Sequence, residues 1–510
     1  MAIYKPIDNQ DGRRRYELFS PINMQSLGIL ECATNEDIQV AINKSKKAQE
    51  DWKKISVLDR SNFIHKMIDQ ILKDQDEIIE TVIQETGKTE SEAVSMEIYA
   101  AVDALSFYAK RAHKFLKPKK IKLHGAMRFM KKALLMYKPR GVIGVITPWN
   151  GPFILAINPT VQALLGGNSV IIKPSEVTPF SSKLVETLFL RSGLPKNLVQ
   201  VVLGDGQTGE DLVKSKVSKI TFTGSIVTGK RVASICGAQL TPFTLELGGN
   251  DAMIVCEDAD LEKASDGALI GSLMNTGQYC CGTERIYVNK KIYSKFSDMV
   301  VSKARKLRQS VNPDADIGAT FWDKQLDIIE SHVDDAVSKG ANLLLGGKRN
   351  AKLKGLFYEP TVLEKVNNTM TIMNEETFGP IVCLQEVKSD EEALSLANNS
   401  KYGLNGNVWT QNKKKGLRLA SNLETGAASI NDMAMSYGIN EVPFGGVKNS
   451  GMGFVNSKEG LRGFCHAMPI IIERFKKGPI SSYPYTKKDI TSMKSFLDLL
   501  KNKRLRKFLG

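Results

Sequence analysis

The sequence contains no Cys-x-x-Cys pair. Its seven cysteines are scattered. That argues against a structural zinc site or a disulfide framework and fits a reducing compartment. Long apolar runs are also missing. The most apolar stretch, 141–167, is broken by Pro148, Asn150, Pro152, Asn158 and Pro159, so it reads as core rather than as a membrane span. The opening MAIYKPIDNQDGRRRYELF lacks the apolar centre of a secretory signal, and a cytoplasmic location is expected. The five histidines fall outside every motif, so neither a histidine base nor a metal site is implied. The formal charge is +15. Yet there is no zinc-finger or RRM signature and no basic region leading into heptads, so nucleic acid is not an expected partner. The positive charge concentrates in 111–140 and in the last thirty residues.

A chain of 510 residues exceeds one core, so two or more domains are expected. Residues 15–33 read as two strands around a Pro-Asn turn. Residues 35–118 read as helices, with Asn35 followed by Glu36 and Asp37 marking one start. From Gly141 the pattern becomes strand, turn, helix, repeated. GVIGVITP, NSVIIKPSE, LVQVVLG and KITFTGS are the strands, and Pro159 to Leu165 starts a helix. The fold class is therefore α/β, with a parallel sheet whose ligand sits at the strand carboxyl ends.

GDGQTG at 204–209 spells GxGxxG. It does not follow the first strand and has no acid at the ribose spacing, so the standard dinucleotide fingerprint is declined. Lys173 and Glu176 sit just past a strand end instead, where they could bond ribose hydroxyls. A carboxylate there would repel a 2′-phosphate, which favours NAD over NADP. The plainer reading of the two is a surface ion pair. Phe222-Thr223-Gly224-Ser225 opens a helix whose amides suit a pyrophosphate.

The chain is organised around NTGQYCCGTER, Asn275 to Arg285. A buried helix pattern precedes it and a strand pattern follows. Upstream stand LELGGN, with Glu246, and PWN, with Asn150; downstream stand NEETFGP at 374–380 and SINDMAMSYGINEVPFGGVKNSG at 429–451. In these motifs and their order, from about residue 20 to about residue 470, the chain resembles the NAD(P)-dependent aldehyde dehydrogenase superfamily.

The resemblance implies a Rossmann-like cofactor domain, a second α/β catalytic domain and an oligomerisation arm. It selects Cys280, two places after Gly-Gln, as nucleophile over Cys281, which becomes a pocket or packing residue. It makes Glu246 the base that hydrolyses a thioester. The Asn150 amide and the Cys280 N–H are the oxyanion donors. Gly204 and Gly224 would pack against the adenosine end and Ser225 would meet the pyrophosphate. Thr147 and Trp149 would line the cofactor path, with Glu376 and Phe378 at the nicotinamide end. The implied division is 1–118 with 140–247 for the cofactor, and 248–460 for catalysis. Segments 119–139 and 461–480 would form the arm, pairing across subunits of a homodimer or homotetramer. For AMPIIIER, 467–474, an ordinary internal strand is the alternative.

Gly151 beside Tyr279, Tyr437 and Phe444 suggests a pocket for a medium or long-chain or aromatic aldehyde, with Asn158 a polar exception. A small polar semialdehyde is the alternative substrate. A silent relative that binds a membrane or nucleic acid is the alternative function. Past the family's usual end, 481–510 is a basic extension. From Ser492 onward, Met493, Phe496, Leu497, Leu500, Leu505, Phe508 and Leu509 fall on one side of a helix. It packs on its own oligomer or lies on an anionic membrane.

Overall fold

The computed structural model describes residues 2–7, 12–312, 314–433, 436–475 and 483–509. Residues 476–480 of the predicted arm, and 481, 482 and 510 of the extension, lie outside these.

Short apolar runs bounded by glycine or proline become strands buried on both faces. Val142–Ile146, Ser169–Lys173, Val199–Val201, Lys219–Gly224 and Phe243–Leu247 form one parallel sheet. From Val142–Ile146 the chain runs outward to Ser169–Lys173 and Val199–Val201. It then returns to the other side for Lys219–Gly224 and Phe243–Leu247. Strand order thus reverses between Val142–Ile146 and Lys219–Gly224, and their carboxyl ends diverge into a crevice. A second, seven-stranded sheet is parallel except for its edge strand Asn342–Leu345. Asp251–Val255 and Thr283–Asn289 lie at its centre.

The first sheet also takes in a strand from beyond residue 247. Gly451–Met452 pairs antiparallel with the end of Phe243–Leu247, Gly451 opposite Glu246. A short piece of 248–460 therefore completes the first sheet.

Two helix starts differ from the sequence expectation. Thr34, not Asn35, is the cap: its hydroxyl accepts from Asp37 N–H and the Asp37 carboxylate answers the Thr34 N–H. The helix expected from Pro159 begins at Ile154 and carries Pro159 inside. Burial of Ile154, Ile157, Val161 and Leu164 outweighs the hydrogen bond that proline removes.

The arm folds as a hairpin with Gly125 in the left-handed region, φ 65°. Lys119–Ile121 and Cys465–Glu473 flank Lys131–Pro139 in a three-stranded antiparallel sheet. The two arm segments expected to pair across subunits therefore pair with each other, Ile470 opposite Leu134. The tail is two helices, Lys487–Leu500 and Lys503–Leu509. The break falls at Asn502, whose side chain accepts from the N–H groups of Arg504 and Leu505, as asparagine does at a helix start. Among the described residues no helix is long and apolar enough to cross a membrane.

Candidate active site

The loop Asn275–Gly277 joins helix Leu261–Leu273 to the turn carrying Cys280. Asn275, Thr276 and Gly277 are all left-handed, at φ 58°, 57° and 72°. Non-glycine residues hold that conformation only when their surroundings enforce it. Here buried hydrogen bonds do so. The Glu92 carboxylate accepts the Asn275 N–H at 2.6 Å. Asn275 Nδ2 donates to the carbonyls of Gln278 at 2.8 Å and Asn150 at 3.1 Å. Gln278 Oε1 accepts from Phe321 N–H at 2.9 Å. A Cβ on Gly277 would stand 1.9 Å from the Gly379 carbonyl oxygen, so glycine is required for the loop to touch the FGP turn.

The structure brings Asn150, Glu246 and Cys280 to one place. All three line a cavity of about 290 Å³ with Thr223, Gly248, Glu376 and Phe378. Asn150 Nδ2 donates to the Gln278 carbonyl at 3.1 Å, which leaves its second N–H for another acceptor. Glu246 is buried, and desolvation pushes its carboxyl up to about 8, partly countered by a hydrogen bond with Cys280. The Cys280 thiol is raised well above its ordinary value, first by hydrogen bonding to Cys281 and by burial, then by the charges of Cys281, Glu246 and Glu376. The two sulfurs are 4.0 Å apart. A protonated thiol beside a buried carboxyl of raised proton affinity is an arrangement in which one proton can pass between the two.

Cys280 also lines a second cavity of about 310 Å³ on the other side. Met96, Ala100, Ile154, Leu155, Met274, Tyr279 and Tyr437 make it largely apolar, and Gly151 and Asn150 form its inner wall. A π-helix, Ala93–Tyr99, supplies Met96 and the exposed Tyr99 at its edge. Gly151 and Tyr279 thus lie where the sequence suggested, as does Tyr437. Phe444 and Cys281 do not line this cavity. Both are wholly buried behind it, Phe444 edge-on to Tyr437 at 5.3 Å between centroids. They are packing residues because the loop turns them inward.

On the first side the cavity continues into a cleft of about 430 Å³ at the reversal in strand order. Thr147, Trp149, Lys173, Glu176, Gly224 and Ser225 line it. Lys173 Nζ and Glu176 Oε2 are 3.3 Å apart, so the pair is an ion pair and also part of the cleft wall. Ser225 caps helix Ile226–Gln239, whose amino end faces the cleft. Trp149 is edge-on to Phe378 at 5.3 Å. Glu376 accepts the Gly249 N–H at 3.0 Å, and a Cβ on Gly248 would lie 2.1 Å from its carboxylate. Gly204 is displaced from its expected role. It packs on Thr208, and Gly206, Gln207 and Gly209 face the cleft in its place. The GxGxxG helix is closed to phosphate, because Asp205 caps it and is itself held by Arg14 and Tyr16. The cleft fits a dinucleotide: a helix amino end for its phosphates, a lysine and a carboxylate for a ribose, and an aromatic wall leading to Cys280.

Sequence reasoning missed the support beneath the site. Lys88 and Glu97 form a wholly buried ion pair at 3.0 Å. Lys88 Nζ also donates to the Asn150 carbonyl at 2.8 Å, and Glu97 accepts the N–H groups of Phe153 and Ile154. The pair sets the turn after PWN. It lies in a helical region with no motif, so only the fold reveals it.

Comparison with known proteins agrees with this geometry. The aldehyde dehydrogenase family model matches residues 7–469. A 4,4'-diapolycopene aldehyde oxidase from Methylomonas sp is 36% identical over 94% of this chain and 90% of that protein. A Mycolicibacterium smegmatis protein named "Putative succinate-semialdehyde dehydrogenase", with NADP(+) in its name, is 33% identical over 92% of this chain and 90% of that protein. Among solved structures, an aldehyde dehydrogenase from Bacillus cereus in complex with NAD+ superposes with a TM-score of 0.86 at 32% identity, over 90% of this chain and 94% of that one. An NAD-dependent aldehyde dehydrogenase from Sinorhizobium meliloti reaches 0.88 at 30%, over 94% and 95%. A cysteine between a dinucleotide cleft and an apolar cavity, in a chain matched almost end to end, leads to one conclusion: the protein belongs to the aldehyde dehydrogenase family and is an oxidoreductase acting on aldehydes.

Proposed function

We propose that the protein oxidises an apolar aldehyde to its carboxylate and takes NAD in preference to NADP. The position of Cys280, lining both cavities at once, carries this reading. Glu246 takes the thiol proton, and the Cys280 sulfur adds to the aldehyde carbon. The resulting oxyanion accepts hydrogen bonds from the free Asn150 N–H and the Cys280 backbone N–H. The nicotinamide, when bound, supplies the hydride acceptor. A thioester on Cys280 remains; Glu246 gives the thiol proton up to solvent and then takes a proton from the water that hydrolyses the thioester.

Cavity chemistry favours an apolar substrate over a semialdehyde bearing a carboxylate. Lys88 is the one cation lining the cavity among the described residues, and it is committed to Glu97 and the Asn150 carbonyl. The relatives named for succinate semialdehyde and for diapolycopene aldehyde mark the two alternatives. NADH formation across aldehydes of increasing chain length decides between them. Medium and long chains should give the higher kcat/KM. A Cβ on Gly151 would already stand 3.1 Å from Leu155 Cδ1, so a bulky side chain there must turn into the cavity: Gly151→Phe should lower long-chain kcat/KM by about tenfold and spare short chains, since a lost methylene or two is worth ~1–3 kcal/mol. A wild-type preference for short charged semialdehydes would overturn the reading.

Glu176 supports the cofactor preference. Its carboxylate faces the cleft, while Arg231, also on the cleft wall, is bound to Glu210. Glu176→Gln should raise kcat/KM with NADP relative to NAD by about fivefold, one repelling charge being worth ~1 kcal/mol at a partly exposed site. Equal use of both cofactors by the wild type would remove Glu176 from this role.

The tail supports peripheral contact with an anionic membrane. Residues 111–140 carry eleven Lys and Arg and no acid, and 481–510 carry eight against two. These sixty residues hold a net +17 and the other 450 a net −2. The structure sets the two stretches together: Arg128 donates to the Phe508 carbonyl at 2.7 Å and lies over the rings of Phe129 and Phe508. Ile490, Met493, Phe496 and Leu497 remain exposed beside them, as do Met127 and Phe129. Each basic residue at an anionic surface contributes about 1 kcal/mol, screened by salt. The full chain should sediment with anionic vesicles at low salt and be released at high salt. Replacing Lys503, Arg504, Arg506 and Lys507 by Glu should abolish binding. Equal binding to neutral vesicles, retention by RNA instead, or no sedimentation at low salt would each refute it.

The open edges of Lys119–Ile121 and Cys465–Glu473 suit contact with a second subunit. A monomeric mass by light scattering at micromolar protein would refute a homo-oligomer.

A further inference from the structure

Strands Lys219–Gly224 and Phe243–Leu247 run parallel, with Thr221 opposite Thr244 and Thr223 opposite Glu246. Alternation along a strand places Lys219, Thr221 and Thr223 on the same face as Thr244 and Glu246. This face is polar although Lys219, Thr221, Thr244 and Glu246 are all buried. Lys219 Nζ donates to Thr244 Oγ1 at 2.7 Å and lies 5.7 Å from the centre of the Phe464 ring. Among the described residues, the titratable or charged groups facing Lys219 are Arg140 and Cys236, with no carboxylate among them. Burial, and then Arg140, push its pKa down to about 7, so the neutral amine is accessible near neutral pH.

Glu246 and Thr244, the hydroxyl partner of Lys219, both line a cavity of about 20 Å³, with Thr221, Thr223, Gln162 and Phe464 among others. That is room for about one water. Glu246 Oε1 and Gln162 Oε1 are buried acceptors with no partner in the protein, and the threonine hydroxyls complete the contacts such a water needs. The groups facing Glu246 itself include Cys280, Glu376 and Tyr437.

We propose that Lys219 receives the proton that Glu246 collects during thioester hydrolysis, by way of a water in this cavity and the Thr244 hydroxyl. The inference rests on the assignment of Glu246 as base. In the step before it, the oxygen of the attacking water bonds to the acyl carbon. The carbon–sulfur bond breaks with its electron pair going to Cys280 Sγ, and one water proton goes to Glu246. The carboxyl then gives its proton to the cavity water, the water gives one to Thr244 Oγ1, and the hydroxyl gives its own to the Lys219 lone pair. Glu246 is again a carboxylate and Lys219 an ammonium. Arg140 disfavours that ammonium, so the proton passes to bulk water before the next turnover, and the Cys280 thiolate takes a proton from solvent to become the thiol again. Lys219 is in these terms a positioning residue for a proton rather than a catalytic one.

The test compares Lys219→Met, Lys219→Arg, Thr244→Val and Thr244→Ser in the full chain. The pre-steady-state burst of NADH reports acylation, and steady-state kcat over pH 6 to 9 reports hydrolysis. The burst rate should be unchanged in all four. kcat should fall about tenfold in Lys219→Met, Lys219→Arg and Thr244→Val, at the low end of proton-transfer effects. Its pH dependence should shift and its solvent deuterium effect should rise. Arginine keeps the charge and the hydrogen bond but does not give up a proton, so it should not rescue. Thr244→Ser keeps the hydroxyl and should retain kcat. The threonine pair preserves the test if removing Lys219 prevents folding. Wild-type kcat and pH profile in Lys219→Met and Thr244→Val, with Glu246→Gln inactive, would overturn the relay alone. Equal losses in burst and steady state would overturn it too, as a purely structural effect. Normal turnover by Glu246→Gln would instead remove the base on which the relay rests.

Discussion

Cys280→Ser should lose aldehyde oxidation by on the order of 10⁴-fold or more, the scale seen when a covalent nucleophile is removed, while NAD still binds. The cofactor cleft is built by residues of the first sheet and Trp149, none of which the substitution touches. Cys281→Ser should keep most of its activity. Cys281 is wholly buried behind the pocket wall and has no access to either cavity. Burying a hydroxyl there costs about 1–3 kcal/mol of stability, so a lower Tm with near-normal kcat is the expected pattern. Activity lost in Cys281→Ser and kept in Cys280→Ser would reverse the assignment. Steady-state NADH formation, with cofactor binding by fluorescence titration, measures both.

Glu246→Gln should give one burst of NADH and then stall. The amide still hydrogen-bonds but takes no proton, so hydrolysis loses a general base worth about 10²–10⁴-fold. Because Glu246 also accepts the thiol proton, the burst itself should be slower than in the wild type. Burial holds the carboxyl up to about 8, and only its ionised form is a base. Wild-type kcat should therefore rise with pH and level off above about 8, and this rise should be absent in the glutamine variant. A flat wild-type profile from pH 6 to 9, or normal turnover by Glu246→Gln, would remove Glu246 from hydrolysis.

Much of the site was legible because its chemistry is local in the chain. Cys280 lies within one short loop, and Gly277 precedes it because the backbone there must approach the FGP turn closely. Lys173 and Glu176 were legible as the polar end of an apolar strand. Other expectations failed for reasons that a linear pattern does not contain. Gly204 belongs to a suggestive motif, but Asp205 caps the helix that follows, and the cleft passes to Gly206 and Gly209. Phe444 and Cys281 had the right chemistry, but only the turn of the loop decided that they face inward. Pro159 signalled a helix start, yet burial of the residues before it carried the helix back to Ile154.

The sequence by itself determined the alternation of strands and helices, the parallel sheet, the loop that carries Cys280, and the charge held in two separate stretches. These follow from side-chain type and short spacing, which fix local geometry and chemistry. The tertiary structure alone decided what lies next to what. It joined Arg128 to Phe508 across the length of the chain, closed the two arm segments on each other, and buried Lys88 against Glu97 under Asn150. It also set Lys219 in line with Thr244 and Glu246 on one sheet face. Such neighbours are made by strand register and by burial, and a buried group's proton affinity depends on them rather than on its place in the chain.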